Sequence, residues 1–350
     1  MAKFSYVVFW LRAISCLSIV MIHSITTTFY KFDIMDHPFR LRVFQLLLMF
    51  STPTFVFISE FLLAKRQGIS LKKGFFKNKL LYLGLPYIIV NFGLAFIYSK
   101  PGDVHSYLET LFQMMFRGGT VTYFIVIIIQ FYILHYLFAK YLIRFNPFII
   151  ILLSLAISSG YWALRDFMIP LDLPVLHMIW EREGWMIFVG WLIYFSLGFY
   201  IGNYYEAFIS NIKKFTIPII LLFTFATIFM IYNYYSGAIS IVESKRADIP
   251  FYCTSIILLF FLVSSYINYL PKFILFISNY SFSIYLTHYF FVHRLGQLSD
   301  SPETNIIFTF ILTVTLSLLT AQIFNAFRWG KFIVGGVGKL KYEEVVGRNY

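Results

Sequence analysis

The sequence predicts an all-α fold, a polytopic bundle of about ten transmembrane helices with both termini in the cytoplasm. Of the 350 residues, 59% are hydrophobic and only 13% are charged, which is far from the composition of soluble globular domains. Aromatic residues make up 21% of the chain, as expected where many helix ends lie at a membrane–water interface. These observations predict a multi-pass protein of the cell membrane, in contact with membrane lipid.

Ten apolar segments are long enough to cross a bilayer as helices. They cover residues 7–28, 43–64, 80–99, 121–142, 147–164, 185–202, 216–235, 251–268, 273–292 and 305–326. Pro53 and Pro86 lie within or near these segments and predict kinks, which a bundle tolerates when neighbouring groups satisfy the freed carbonyls. The first segment has no small-residue cleavage pattern, so we expect it to be retained as a helix. Residues 1–330 are predicted to form one membrane domain, followed by a short basic cytoplasmic tail at 331–350.

The distribution of charge predicts the orientation in the membrane. If the amino terminus is cytoplasmic, the inner segments carry 17 Lys and Arg residues against three acids, whereas the outer loops carry 10 cations and 12 acids. Lys and Arg near helix ends resist translocation, so both termini are expected on the inside. The net charge of +12 is therefore explained by topology, and nucleic acid is not an expected partner.

Two ionisable residues, Arg12 and His23, lie within the first apolar segment. At 100° per residue they fall within about 20° of each other on the helix, and their positions differ by about 16 Å along its axis. Ionisable side chains within a spanning helix usually face a protein interior or a wet cavity and indicate a functional site. The alternatives are an Arg12 side chain that extends to the cytoplasmic interface and a His23 that is hydrogen-bonded in a structural role.

A basic loop follows the second segment. Residues 65–79 contain six cations and no acid. This pattern is typical of a cytoplasmic loop that attracts anionic lipid. It equally suits a phosphate-binding surface for a nucleotide-containing acyl donor such as coenzyme A, because clustered ammonium groups attract polyanions. The sequence alone does not separate these two interpretations.

Glu60 lies one turn from the predicted cytoplasmic end of the second segment, at a depth similar to that of Arg12. A carboxylate and a guanidinium at the same depth in adjacent helices offset the desolvation of one another. We therefore predict that Glu60 and Arg12 are paired. The alternative is an interfacial glutamate that reaches water.

Two further segments carry polar or small residues. The fourth contains four candidates for the lining of a polar site: Tyr123, Gln130, Tyr132 and His135. Interfacial aromatic residues and interhelical hydrogen bonds explain these four equally well. The sixth places four small residues close to one face: Gly190, Ser196, Gly198 and Gly202. Small residues at this spacing predict close packing against another helix.

The ninth segment places Ser281, Tyr285 and His288 in one stripe, because they are related by steps of i, i+4 and i+7. If the helix runs outward from its basic start, His288 lies about 16 residues from the inner boundary, at much the same depth as His23. The two histidines are therefore expected to converge. A hydrogen-bonded structural histidine is the alternative for His288.

The motifs of several other enzyme classes are missing. The sequence has no HExxH, no pair of CxxC motifs, no GxSxG and no Walker loop. Cys16 and Cys253 both lie in apolar segments, so they predict neither a disulfide framework nor a metal site.

At these residues the sequence resembles the integral membrane acyltransferase 3 family. The likeness begins with Arg12, ten residues and His23 in the first helix. It continues through FVFISEFLLAKR, KNKLLYLGLPYI and the LGFYIG pattern, and it ends with the late SFSIYLTH. Together these stretches cover most of the chain, and the first and last are the distinctive ones.

The resemblance implies the transfer of acyl groups, often acetyl or succinyl, from cytoplasmic acyl-CoA to hydroxyl groups of extracytoplasmic glycans. It implies a catalytic role for His23 and a donor-binding or structural role for Arg12. Two stretches are most similar to members linked to poly-N-acetylglucosamine: YFIVIIIQFYIL and GWLIYFSLGFYIGNYYE. A cell-surface glycan and polysaccharide synthase components are therefore the implied partners.

Two positions depart from the family. Glu60 stands where the family usually has Gly, and Lys77 and Lys79 replace a pair of arginines, so bidentate phosphate contacts are not expected.

The resulting hypothesis is an O-acyltransferase that uses acyl-CoA as co-substrate and needs no metal. His23 would act as general base on the acceptor hydroxyl. The donor phosphates would be held by five basic residues: Arg12, Lys72, Lys73, Lys77 and Lys79. Supporting roles are expected for four residues: Glu60, Ser281, Tyr285 and His288. The alternatives are an exporter or flippase of the polysaccharide, which requires a continuous polar pathway, and a scaffold for a synthase complex.

Overall fold

Helices form nearly all of the regular structure in a computed structural model that describes residues 6–34, 38–170, 177–267, 269–338, 340, 342 and 343. The first seven helices are α1 (Tyr6–Lys31), α2 (Phe39–Leu47), α3 (Ser51–Gln67), α4 (Phe75–Lys79), α5 (Leu85–Tyr98), α6 (Val104–Phe116) and α7 (Phe124–Leu142). The next seven are α8 (Pro147–Phe167), α9 (Leu192–Asn203), α10 (Tyr205–Asn211), α11 (Thr216–Tyr235), α12 (Ile249–Tyr266), α13 (Lys272–Val292) and α14 (Pro302–Asn325). The described residues contain no β-strand.

The helices coincide with the ten predicted segments. Within the described ranges, eight helical segments are long and apolar enough to cross a membrane: Tyr6–Lys31, Phe39–Gln67, Phe75–Tyr98, Val121–Leu142, Pro147–Phe167, Tyr205–Tyr235, Ile249–Tyr266 and Pro302–Asn325. The sixth predicted segment corresponds to the shorter apolar helix Phe188–Asn203. The ninth corresponds to α13, which has 21 residues and carries several polar side chains. The predicted all-α, multi-pass architecture is therefore confirmed.

Both prolines that predict kinks lie next to irregular backbone. Residues 48–50 form a turn between α2 and α3, and Pro53 follows in the first turn of α3, where its missing N–H costs nothing. A π-helical turn, Leu80–Gly84, lies directly before Pro86. Turns of this kind bend a helix and free its carbonyl groups.

Helix α9 packs closely on α3 through its small residues. A Cβ atom at Gly198 would lie 2.9 Å from the carbonyl oxygen of Phe57, and one at Gly202 would lie 2.7 Å from that of Phe61. Ser196 lies on the same helix and its hydroxyl is 2.6 Å from that of Ser154 on α8. The close packing predicted for this helix is therefore confirmed.

Helices α1 and α13 lie side by side and run in the same direction. Trp10 donates to the carbonyl of Tyr269 near the start of both, Cys16 Sγ is 3.5 Å from the Ser281 carbonyl, and Thr27 Oγ1 is 3.2 Å from His293 Nδ1. The order along one helix therefore follows the order along the other. This arrangement carries the two histidines of interest to one level of the bundle.

The first part of the predicted tail contacts the bundle. The carbonyl of Gly335 accepts from Ser283 at 3.1 Å, and the N–H of Gly338 donates to the carbonyl of Asn279 at 2.9 Å. The φ angle of Gly335 is 81°, and a Cβ there would meet the Phe282 ring, so glycine suits this contact. The remaining basic residues of the tail, Lys339, Lys341 and Arg348, lie outside the described residues, as does Lys3 at the amino terminus.

Candidate active site

His23 on α1 and His288 on α13 meet within the bundle. Their ring centroids are 5.4 Å apart, and the Tyr289 ring lies nearly perpendicular to that of His23 with a centroid separation of 5.8 Å. His288 is fully buried. The convergence predicted from the depth of the two residues is therefore present, and the parallel course of their helices explains it.

A backbone hydrogen bond fixes the orientation of His288. Its Nδ1 atom is 2.6 Å from the carbonyl oxygen of Tyr285. A carbonyl oxygen can only accept, so Nδ1 carries the proton. The neutral ring then has its lone pair on Nε2, and this buried atom has no hydrogen-bond partner among the described residues. His288 thus offers an unused acceptor beside His23.

A cavity of about 250 Å³ opens at His23 and is termed the His23 cavity. Six of its lining residues are His23, Thr26, Gln45, Trp185, Lys245 and Tyr289. Gln45 reaches it from α2 and donates to Thr26 Oγ1 at 2.7 Å and to the carbonyl of Ile22 at 3.2 Å. The wall therefore combines aromatic rings with hydrogen-bonding groups, which suits a ligand rich in hydroxyl groups.

The residues 242–245 form one wall of the His23 cavity. Lys245 Nζ lies 3.7 Å from the centroid of the Trp185 ring and 3.4 Å from a carboxylate oxygen of Glu243. Only 8% of Lys245 is exposed. The side chain is thus held in place by a cation–π contact and an ion pair.

A buried ion pair anchors this wall. Arg246 Nη2 is 2.6 Å from Asp248 Oδ2, and neither residue is more than 1% exposed. Asn233 also donates to Asp248 at 3.0 Å, and the N–H of Ala247 donates to Asp166 at 2.8 Å. This network is not predicted above, although the segment ESKRAD at 243–248 holds four charged residues in six positions between apolar helices.

A second cavity, termed the Arg12 cavity, has a volume of about 200 Å³. Six of its lining residues are Arg12, Ser59, Tyr132, Ser281, Phe282 and Tyr285. The hydroxyl of Ser59 donates to that of Tyr132 at 3.3 Å. Lys79 Nζ lies 4.7 Å from the centroid of the Tyr132 ring, so a second cation is adjacent to this cavity.

The other basic residues proposed for the donor are at the surface. Lys72, Lys73 and Lys77 are exposed, and none is among the residues that line the Arg12 cavity. They follow Gly68, whose φ angle of 64° begins the loop after α3. Of the basic loop, only Lys79 contacts a residue of the Arg12 cavity, the ring of Tyr132, and these three lysines lie in reach of solvent.

The predicted pairing of Glu60 with Arg12 is wrong. Glu60 Oε1 lies 2.6 Å from His135 Nδ1, and both side chains are fully buried. The other ring nitrogen of His135 is 2.9 Å from the carbonyl oxygen of Gly68. Successive helical residues are 100° apart, so Ser59 faces the Arg12 cavity and Glu60 faces α7. Glu60 and Arg12 therefore point to different neighbours.

The polar residues below His288 are engaged elsewhere. Ser281 donates to the carbonyl of Ser278 at 2.8 Å, and the Tyr285 hydroxyl donates to the carbonyl of Val121. Neither hydroxyl therefore bonds to an imidazole, although the Tyr285 and His288 rings have centroids 5.6 Å apart. Within the part of the chain that the structure covers, no group of three or more His, Cys, Asp or Glu side chains could hold a metal ion.

Comparison with known proteins connects this geometry to a family. A family model described as an acyltransferase domain matches residues 8–323. YfiQ of Bacillus subtilis strain 168, named as a membrane-bound acyltransferase, is 32% identical, over 97% of this chain and 96% of its own length. A Staphylococcus aureus protein (strain MSSA476) named for poly-beta-1,6-N-acetyl-D-glucosamine export is 27% identical, over 96% of this chain and 97% of its own.

A Staphylococcus epidermidis protein with the same name is 26% identical, over 93% of each chain. No solved structure matches this chain. The family match extends from the first helix into the last, and the relatives align over almost their whole length. The chain therefore belongs to the acyltransferase 3 family of integral membrane proteins.

Proposed function

We propose that this protein transfers an acyl group from cytoplasmic acyl-CoA to a hydroxyl group of an extracytoplasmic polysaccharide. The observation that carries the proposal is the placement of Arg12 and His23 on one helix, each lining its own cavity, with Tyr285 common to both cavities. A cation in one cavity and a base in the other provide for a donor and an acceptor that approach from opposite ends of the bundle. Membership in an acyltransferase family supports the same reaction.

The donor is assigned to the Arg12 cavity. Guanidinium and ammonium groups bind phosphate through charge-assisted hydrogen bonds. Arg12 lines this cavity, and Lys79 lies against Tyr132, another of its lining residues. The exposed Lys72, Lys73 and Lys77 would attract the polyanionic nucleotide and increase its rate of association. To reach His23, the pantetheine arm would extend along α1 for about 16 Å, the axial distance from Arg12 to His23, and would pass Tyr285.

His23 is assigned as the general base. It takes the proton of the acceptor hydroxyl while the oxygen attacks the thioester carbonyl carbon, so that a C–O bond forms and the C–S bond breaks. The proton then passes from His23 to the thiolate of coenzyme A, which restores the neutral ring. The free Nε2 of His288 supports this step by accepting a hydrogen bond from His23 or from the acceptor.

The acceptor is assigned to the His23 cavity. Trp185 and Tyr289 offer aromatic faces, and Gln45 and Thr26 offer hydrogen-bonding groups, a combination that suits a sugar. Poly-N-acetylglucosamine is the proposed glycan because two relatives are named for its export. Acetyl and succinyl are the acyl groups to test, and polysaccharide synthase components are the proposed protein partners.

Export of the polysaccharide is the second candidate, favoured by the names of the same relatives. Export requires a polar path wide enough for a glycan chain. The His23 cavity and the Arg12 cavity share only Tyr285 among the described residues, so the side chain of Tyr285 interrupts any path between them. This interruption favours transfer over export.

The test uses purified protein in proteoliposomes with acetyl-CoA or succinyl-CoA and oligomers of poly-N-acetylglucosamine, analysed by mass spectrometry. His23→Ala and His23→Gln should abolish acylation at normal protein levels. His288→Gln should reduce it, because it changes the hydrogen-bond acceptor that lies beside His23. His105→Gln, an exposed histidine on α6, is the matched control. Acylation by His23→Ala at nearly the wild-type rate would refute the mechanism. In cells, unchanged acylation with lost secretion in that variant would favour export.

A further inference from the structure

Tyr285 is the one residue, among those the structure describes, that lines both the His23 cavity and the Arg12 cavity. It lies on α13, one turn before His288, and only 3% of it is exposed. The remaining lining residues divide into two separate sets. The two cavities therefore meet at this side chain.

Contacts on several sides hold the Tyr285 ring in place. Its centroid is 4.3 Å from that of Phe124 and 6.0 Å from that of Phe55, which lie on α7 and α3. Its hydroxyl donates to the carbonyl of Val121, in the turn that precedes α7. The ring is thus fixed by two aromatic contacts and one hydrogen bond to the backbone.

This position conflicts with a simple form of the proposed reaction. A donor arm that runs along the face of α1 from Arg12 to His23 has to pass Tyr285. In the structure the cavity that contains Arg12 ends at Tyr285, and His23 lies in the other cavity. The Tyr285 ring therefore lies between a thioester in the Arg12 cavity and His23.

We propose that Tyr285 is a partition that keeps water in the His23 cavity away from the acyl donor, and so determines that the acyl group passes to a glycan and not to water. The inference rests on the proposed function, because it assigns the donor to one cavity and the acceptor to the other. Water is the competing nucleophile for any thioester. Its oxygen would attack the carbonyl carbon, the C–S bond would break, and the free acid and the thiol of coenzyme A would form.

The ring and the hydroxyl of Tyr285 have separable parts in this proposal. The ring fills the junction, and the hydrogen bond to Val121 holds the ring there. Removing the ring should open the junction fully, whereas removing the hydroxyl alone should loosen it. Tyr285 is thus a specificity-determining residue, distinct from the base His23.

The first measurement is thiol release from acetyl-CoA and from succinyl-CoA by purified protein without any glycan. Tyr285→Ala should release thiol at least about tenfold faster than wild type, and Tyr285→Phe should fall between the two. Tyr280→Ala is the matched control, since Tyr280 is a tyrosine of the same helix that lines neither cavity. Wild-type hydrolysis in both Tyr285 variants would overturn the proposal. Lost glycan transfer with unchanged hydrolysis in Tyr285→Phe would also overturn it, because the hydroxyl would then act in the chemistry.

The second measurement needs no acyl transfer. Ser59→Cys places a thiol in the Arg12 cavity, in a background where the buried Cys16 and Cys253 are replaced by serine. An impermeant thiol reagent added on the side of the His23 cavity should label Ser59→Cys in the Tyr285→Ala protein and not in the protein that retains Tyr285. Equal labelling in both would refute the partition. If the Tyr285→Ala protein were newly labelled but the wild-type protein transferred no acyl group to a glycan, the partition would be upheld and the proposed function refuted.

Discussion

The pair formed by Glu60 and His135 makes the most direct test of the helix arrangement. Glu60 Oε1 and His135 Nδ1 are 2.6 Å apart and neither side chain is exposed, so each would be left buried without its partner if the other were removed. Removing one member of a buried pair costs about 3–5 kcal/mol of unfolding free energy. Glu60→Leu and His135→Phe should each lower the free energy of unfolding by an amount in this range.

The double variant is expected to be much less impaired than the sum of the two. Replacing a buried polar pair by apolar side chains of similar size is often neutral, so the double variant should lose less unfolding free energy than the sum of the two single losses by at least about 3 kcal/mol. The free energy of unfolding would be measured for all four proteins in mixed micelles with increasing SDS. His135 also contacts the Gly68 carbonyl, so some loss should persist in the double variant.

A second cycle, between Glu60 and Arg12, is the control. The described structure shows no ion pair between these residues, so Glu60→Leu and Arg12→Ala should be additive within about 0.5 kcal/mol. If the losses of Glu60→Leu and His135→Phe were strictly additive, the observed contact between these two residues would be refuted. A coupling energy above about 1 kcal/mol between Glu60 and Arg12 would instead support the pairing of Glu60 with Arg12.

Three further predictions concern packing, the cavity wall and topology. Gly202→Leu should lower the free energy of unfolding by about 1–3 kcal/mol, because the larger side chain forces α9 away from α3. Gly160→Ala is the control, since no atom lies within 4 Å of the new Cβ. In the same SDS titration its stability should be unchanged or higher by up to about 1 kcal/mol. Asp248→Ala should lose about 3–5 kcal/mol because Arg246 stays buried without its carboxylate, and a smaller loss would mean that water reaches this site. Tags at the amino terminus, at residues 65–79 and at the carboxyl terminus should all be shielded from an impermeant reagent added outside intact cells, and labelling of any one would contradict the predicted orientation.

Much of the fold follows from the sequence because the bilayer restricts what the chain can do. A spanning segment must be apolar over about 20 residues and must satisfy its own backbone, so composition alone predicts helices at the right places. Helix geometry then places Arg12 and His23 on one face, and Ser281 ahead of His288, without knowledge of any neighbour. The small residues Gly198 and Gly202 likewise predict a close contact, since their lack of bulk has no other purpose on an apolar helix.

What only the tertiary structure decides is which side chains meet. The sequence gives the depth of a residue in a helix, but its partner depends on the direction the side chain faces and on which helix lies there. Glu60 and Arg12 share a depth, yet rotation by one residue directs Glu60 to His135. Tyr285 appears in the sequence as one member of a polar stripe, and packing of α3, α7 and α13 makes it the boundary between two cavities. These contacts join residues far apart in the chain, so no local pattern encodes them.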